Sequence, residues 1–203
     1  MFVDLSQLSS NDIYHLMTQS LIPRPVAWVL SENDNSSFNL APFSYFSAVS
    51  SDPPLLMLSI GEKPDGSPKD TRVNIIERSH CVIHIAPATM ASAVTESSRT
   101  LAAGESELDH LGLELTAFNG FTMPRLADCH VAMACEFYRA EQITKKQAMM
   151  LIEVKQLYVN DQLIEQHHRG RVTIDATKID PLARLGGDQY STLGDIIAIP
   201  RPR

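Results

Sequence analysis

Between Arg24 and Asn74 the chain alternates short apolar segments with loops rich in Pro, Ser and Asn, and this rhythm constrains the fold more than any other feature. Val26, Trp28 and Leu30 alternate with Ala27 and Val29 as a largely buried first strand, Ser31 to Ser37 reads as a hairpin loop, and Phe38 opens the next strand. The apolar run Leu55 to Ile60 follows Asp52-Pro53-Pro54 as a third. Later, His130 to Tyr138 and Ala148 to Val159 have the same character. Many short strands with only two or three helices among them predict a mainly β, closed antiparallel barrel rather than a doubly wound parallel sheet. The lack of a G-x-G-x-x-G turn agrees.

The 203 residues suit one domain with a substantial core. A net charge of -7 and the lack of a basic stripe argue against nucleic acid as the main partner. Met1 to Leu5 lacks the positive and apolar regions of a secretory signal, and no apolar run is long enough to span a bilayer, so the expected location is cytoplasmic with no membrane partner. Three cysteines, Cys81, Cys129 and Cys135, are an odd number without C-x-x-C spacing. They are expected to be buried, reduced and structural, with no metal site.

Ser9 to Asp12, followed by Ile13, Tyr14, Leu16 and Met17, predicts a capped helix over about 9–19, ending before Pro23. Pro42 interrupts the segment Asn39 to Phe46; it cannot donate to a ladder, so a bulge or a sheet edge is expected there. Gly61 to Ser67 echoes a P-loop, but no Lys follows Gly66 and Pro68 interrupts the cradle, which rejects a nucleoside triphosphate site. What remains is a helix start, with Ser67 as cap, Pro68 first and Asp70 three residues on. Lys69 and Thr71 would make that tip attractive to an anion, while Asp70 opposes one unless it is engaged elsewhere.

His80 and His84 share one strand face with Val82, opposite Cys81, Ile83 and Ile85; without a third ligand they read as a structural pair or a cofactor-side polar group. Ala88 to Leu101 and Glu105 to Leu111 read as helices without a nucleophile motif. Met150, Ile152 and Val154 take one parity and Leu157 and Val159 the other, which predicts a bulge between them. His167 to Arg171 is a basic cluster, either a solvated loop or a contact for a pyridine-nucleotide phosphate.

Four motifs in order carry a resemblance to a known family: Arg24-Pro25, Asn39-Leu40-Ala41-Pro42-Phe43-Ser44, Asp52-Pro53-Pro54 and Lys69-Asp70-Thr71. Pro181 to Gly187 followed by Tyr190 looks like the closing motif of the same group. Over roughly Ser20 to Pro202 the chain resembles the flavin reductase-like family of FMN-binding split β-barrels. That resemblance implies a Greek-key split barrel with FMN at a homodimer interface. It also implies NADH or NADPH as electron donor, and electrons leaving to free flavin, a metal centre or a partner such as a monooxygenase.

By matching motif positions, Asn39, Ala41, Pro42 and Ser44 would lie along the ring and ribityl chain, and Ser59 would bond ribityl hydroxyls. Lys69, Asp70 and Thr71 would surround the phosphate, while Arg24 either reaches it or pins its strand. Arg184 and Tyr190 would complete the pocket, and Trp28 reads as core. No protein acid or nucleophile is required. The resemblance leaves an NAD(P)H-dependent flavin reductase, a permanent FMN electron carrier, and a ligand-binding barrel without redox chemistry as the three readings.

Overall fold

The structure, a computed structural model, describes residues 1–102, 104–166 and 172–202. The basic cluster His167 to Arg171 lies outside the described residues. Helix α1 (Ser10–Ser20) leads into β1 (Arg24–Pro25), β2 (Ala27–Glu32), β3 (Phe38–Phe43), β4 (Phe46–Ser51) and β5 (Pro54–Ile60). Next come α2 (Asp70–Arg78), β6 (His80–Ile85), α3 (Ala91–Glu96), α4 (Glu107–Leu111), β7 (Leu115–Thr116) and β8 (Arg125–Leu126). The long hairpin β9 (Val131–Thr144) and β10 (Gln147–Val159) precedes β11 (Ile164–Gln166), β12 (Val172–Ile174), α5 (Ala176–Ile179), β13 (Ala183–Arg184) and β14 (Tyr190–Ser191).

Seven of these strands form one antiparallel sheet in the order β3-β2-β6-β9-β10-β5-β4. Its two edge strands, β3 and β4, are consecutive in the chain and separated only by Ser44 and Tyr45. A sheet whose opposite edges are joined by so short a link must curl until they meet. The Ser59 N–H donates to the Tyr45 carbonyl at 2.9 Å, carrying the β4–β5 ladder one residue into that link. The result is a split barrel: the pattern of strands predicted an antiparallel barrel, and the family resemblance implied that it is split.

Period-two alternation sorts the side chains. Ala27, Val29, Cys81, Ile83, Met150 and Ile152 point into the barrel, where Ile75 of α2 joins them. Trp28, Leu30 and Val82 point outward into a second core, roofed by Val94 of α3, Leu108 of α4 and Leu126 of β8. Both faces of β2 and β6 are therefore buried, which explains their nearly continuous apolar sequences.

The expected α1 helix is present, its cap Ser9 accepting from the Asp12 N–H at 3.2 Å. The parity change in β10 is a register shift between Val154 and Gln156, where the pattern placed it. All three cysteines are buried and unbridged, and among the described residues no His, Cys, Asp and Glu group could hold a metal ion. Among them, too, no helix is long and apolar enough to cross a membrane.

Three local expectations need correction. The hairpin loop is shorter, because Ser31 and Glu32 remain in β2. The helix expected from Ala88 to Leu101 contains a 3-10 turn, Ala88–Met90, and stops at Glu96, since the Ser97 and Ser98 hydroxyls bond back to the carbonyls of Val94 and Thr95 at 2.9 and 2.6 Å. Helix α2 begins at Asp70 with Lys69 at its cap position, not Ser67. Ser67 is turned back on its own loop, its N–H and hydroxyl both donating to the Asp65 carboxylate at 2.8 and 2.6 Å.

Candidate functional site

A cleft of about 600 Å³ runs along the outer edge of β3. Its floor is Asn39, Ala41 and Pro42; one wall is the tip of α2 with the loop before it, and the other is the Ser97 to Leu101 segment after α3. The β9–β10 turn contributes Lys146 and Gln147 at one end.

The ladder explains why the cleft lies there. β3 pairs with β2 without a register shift, so the bulge expected at Pro42 is absent and the alternative, a sheet edge, is correct. The Phe38 carbonyl accepts from the Ser106 hydroxyl at 2.5 Å, and the Leu40 N–H donates to Glu107 Oε2 at 2.8 Å, so even-numbered residues of β3 face away from β2. Pro42 has the same parity. Its missing N–H thus falls on the unpaired edge, where it removes no ladder bond. Helix α4 covers the edge at Phe38 and Leu40 and leaves it open at Pro42.

A buried polar chain ties this edge to α2. Asn39 Nδ2 donates to Thr71 Oγ1 at 2.9 Å and to Ser31 Oγ at 3.4 Å, while Asn74 Nδ2 donates to Ser31 Oγ and Asn33 Oδ1 at 3.2 and 2.8 Å. Every one of these side chains is shielded from solvent. Gln147 Nε2 donates to Ser59 Oγ at 2.7 Å, placing Ser59 behind a residue that lines the cleft. Trp28 is core, and its indole N–H donates to Ser97 Oγ at 2.8 Å, so the core sets the position of the opposite wall.

Lys63, Lys69, Arg99 and Lys146 outnumber Glu62, Asp70 and Glu107 on the lining, which favours an anion. Lys63 Nζ lies 2.6 Å from Asp70 Oδ1, so the carboxylate that opposed an anion is matched within the protein. Glu107 is buried, and that burial pushes its carboxyl above the usual range. Lys69 and Lys146 line the cleft and have no carboxylate partner among the described residues. Protein atoms crowd the Lys69 ammonium, which sits 5.6 Å from the centre of the Phe43 ring, and lower its pKa although the residue as a whole is solvent-exposed. No side chain caps α2. The Asp70 and Thr71 N–H groups of its first turn, together with the helix dipole, are available to a ligand, whereas that of Arg72 donates to the Lys69 carbonyl at 2.9 Å.

A second cavity of about 340 Å³ adjoins the cleft, the two sharing Pro42 and Ser98. It is lined by Ser44, Arg184 and Tyr190, with Tyr14 opposite. The Arg184 guanidinium lies 4.6 Å from the Tyr190 ring centre, and Thr95 Oγ1 donates to the Tyr190 hydroxyl at 3.1 Å. Arg24 lines neither cavity. Its guanidinium is buried and donates to the carbonyls of Thr18, Leu21 and Leu185 and to Ser44 Oγ, pinning α1, β1 and β13 together.

Of the residues singled out in the sequence, Asn39, Ala41, Pro42, Lys69, Asp70 and Thr71 meet at the cleft; Ser44, Arg184 and Tyr190 meet at the second cavity. Ser59 and Arg24 stand behind them, Arg24 in its pinning role. The two histidines are structural: His80 Nε2 lies 3.2 Å from Glu32 Oε2, and His84 bridges the Trp28 carbonyl and the Leu126 N–H. Sequence reasoning missed Ser98, Arg99, Lys146 and Gln147, which line the cleft. Only the turn chemistry between the two long strands could have pointed to Lys146, and nothing local pointed to Ser98.

A split antiparallel barrel with a cation-lined cleft between an edge strand and an uncapped helix tip defines the class of split-barrel flavin proteins. The chain belongs to the family described as flavin reductase like domain, whose model matches residues 18–174. It is similar to nitrilotriacetate monooxygenase component B from Bacillus cereus, with 30% identity, 98% of each chain covered and a TM-score of 0.88. It is similar also to the 2-nitrobenzoate 2-nitroreductase NbaA of Pseudomonas fluorescens, with 28% identity, 100% of this chain and 96% of the other covered, and a TM-score of 0.88. A Shewanella frigidimarina protein with a split barrel domain, 18% identical over 98% of this chain and 96% of its own, shares the fold with a TM-score of 0.83.

Proposed function

We propose that this chain binds FMN in the β3 cleft and acts as an NAD(P)H-dependent flavin reductase that passes electrons to free flavin or to a partner monooxygenase. The observation that carries the reading is the pairing of an open strand edge at Pro42 with a cationic, uncapped helix tip at Lys69, joined through Asn39 and Thr71. A flat, uncharged ring and a phosphate need those two surfaces side by side.

Lys69, Lys146 and the first turn of α2 are the residues that would hold the phosphate, and Gln147, held in place by Ser59, offers its amide to a polyol chain. Ala41 and Pro42 present a small, flat surface along the edge. When bound, FMN supplies the redox chemistry, taking a hydride from reduced nicotinamide and releasing electrons to an acceptor. The chain's own contribution is to bind, orient and shield; no side chain at the cleft is needed as a nucleophile.

Similarity to a monooxygenase component B and to a nitroreductase supports an electron-delivering role. Exposed apolar residues on α1 (Met17), β4 (Val49) and the C-terminal segment (Ile196, Ile197, Ile199) support a homodimer. A cytoplasmic location suits free flavin and nicotinamide as reactants. The test is the visible spectrum of the purified protein before and after anaerobic addition of NADH or NADPH. A yellow protein bleached within seconds supports the reductase; a yellow protein that stays oxidised indicates a carrier; a colourless protein indifferent to added FMN would refute both.

A further inference from the structure

The second cavity carries an electrostatic imbalance. Arg24 is only 4% exposed, and buried charges are normally paired. Among the described residues no carboxylate pairs with it; its partners are three carbonyls and the Ser44 hydroxyl. Two of those carbonyls, Thr18 and Leu21, belong to the C-terminal end of α1, whose dipole offsets about half a charge. Ser44, which lines the cavity, accepts from Arg24 Nε at 3.4 Å and keeps its own O–H to donate into the cavity, with the Arg24 charge directly behind it.

Arg184 adds to it. It stands directly across the ladder from Arg24 in the β1–β13 pair, stacks on Tyr190, and donates to the Gly187 carbonyl. Most of its five N–H donors are uncommitted, and it too is in no ion pair among the described residues. Asp188 lies on the lining but is exposed. The rest of the lining mixes aromatic and apolar surface, Tyr14, Phe43, Tyr190, Val26 and Pro42, with the hydroxyls of Thr95 and Ser98. A volume of about 340 Å³ is at the lower end of small-molecule sites, which suits a single ring.

We infer that this cavity is a recognition subsite for a small aromatic carboxylate, its anionic group held by Arg184 and drawn by the buried Arg24, its ring lying among Tyr14, Tyr190 and Pro42. The inference rests on the proposed function only in placing the flavin in the adjoining cleft; the subsite itself consists of this chain's residues. A phosphate of a reduced dinucleotide offers the same anionic chemistry and is distinguished by the test.

Isothermal titration of the purified protein with benzoate, with and without added FMN, reads the subsite directly. Benzoate is expected to bind in both conditions, benzamide at least about tenfold more weakly. Arg184→Ala should weaken benzoate binding by about tenfold or more, and Arg184→Lys by less, because an ammonium keeps the charge without the fork. Circular dichroism confirms the fold of each variant. Lys69→Ala, which weakens FMN retention if the neighbouring cleft is assigned correctly, should leave benzoate affinity without FMN unchanged, so the two readings fail separately. No binding of benzoate, or equal binding by Arg184→Ala, overturns the inference. A tenfold loss for NADH alone, with benzoate unaffected, overturns it in favour of the dinucleotide's phosphates.

Discussion

Asn39 on the barrel edge and Thr71 in the first turn of α2 are joined by a buried hydrogen bond of 2.9 Å, 32 residues apart in the chain. That bond makes the strand edge and the helix tip one rigid unit. Removing its acceptor leaves Asn39 Nδ2 with only the longer contact to Ser31 Oγ at 3.4 Å on the floor of the cleft, which costs about 1 kcal/mol. Thr71→Val should therefore lower the free energy of unfolding in urea by about that amount, while Thr71→Ser stays near wild type. An unchanged midpoint for Thr71→Val would remove the bond from the account.

The phosphate assignment separates two cofactors that share a ring. Lys69→Ala, and independently Lys146→Ala, should weaken FMN binding by about ten- to a hundredfold, the size of a lost charge-assisted hydrogen bond. Riboflavin, which has the same ring without the phosphate, should be almost unaffected. Fluorescence titration with both ligands checks this, and equal losses for FMN and riboflavin would move the phosphate elsewhere.

His84 makes stability depend on pH. It is fully buried, donating from Nδ1 to the Trp28 carbonyl at 3.1 Å and accepting at Nε2 from the Leu126 N–H at 2.9 Å, an arrangement that needs a neutral ring. Burial lowers its pKa from 6.5 to about 4. Because the folded value lies below the unfolded one, the stabilisation is full above about pH 6.5 and fades as pH falls toward 4. The loss amounts to about 3 kcal/mol. Denaturant unfolding at several pH values should show this slope in wild type and a shallower one in His84→Gln; identical slopes would assign the pH dependence to other groups.

Glu107 works in the opposite direction. Burial raises its pKa, so ionisation is disfavoured in the folded state and its stabilising share is lost as pH rises through the raised value. Glu107→Gln keeps an oxygen for the Leu40 N–H and removes the charge. Its melting temperature should exceed that of wild type at pH 7, and the difference should shrink below the ordinary carboxylate range. A variant less stable at pH 7 would show that the carboxylate itself is required.

What could be read from the chain depended on whether the signal was local. Pro42 marked a break in the ladder, a bulge or an edge, of which the structure shows the edge, and the parity change after Val154 marked a register shift, because each follows from one strand's own ladder. Trp28 read as core for the same reason. The start of α2 was misplaced, since Ser67 has two uses for its hydroxyl and the Asp65 turn took it. Arg24 was legible as important but not in its role: its partners, Thr18 and Leu185, lie on either side of it in the chain, and the nearer acceptor is part of a helix end. Ser98, Arg99 and Lys146 reach the cleft from elements that only the folded barrel brings together.

The most direct test is a crystal structure of the protein grown with excess FMN. The account predicts the ring against the β3 edge at Ala41 and Pro42, with the phosphate at the first turn of α2 within hydrogen-bonding distance of Lys69. FMN bound anywhere else, or a cleft without FMN under saturating cofactor, would contradict it.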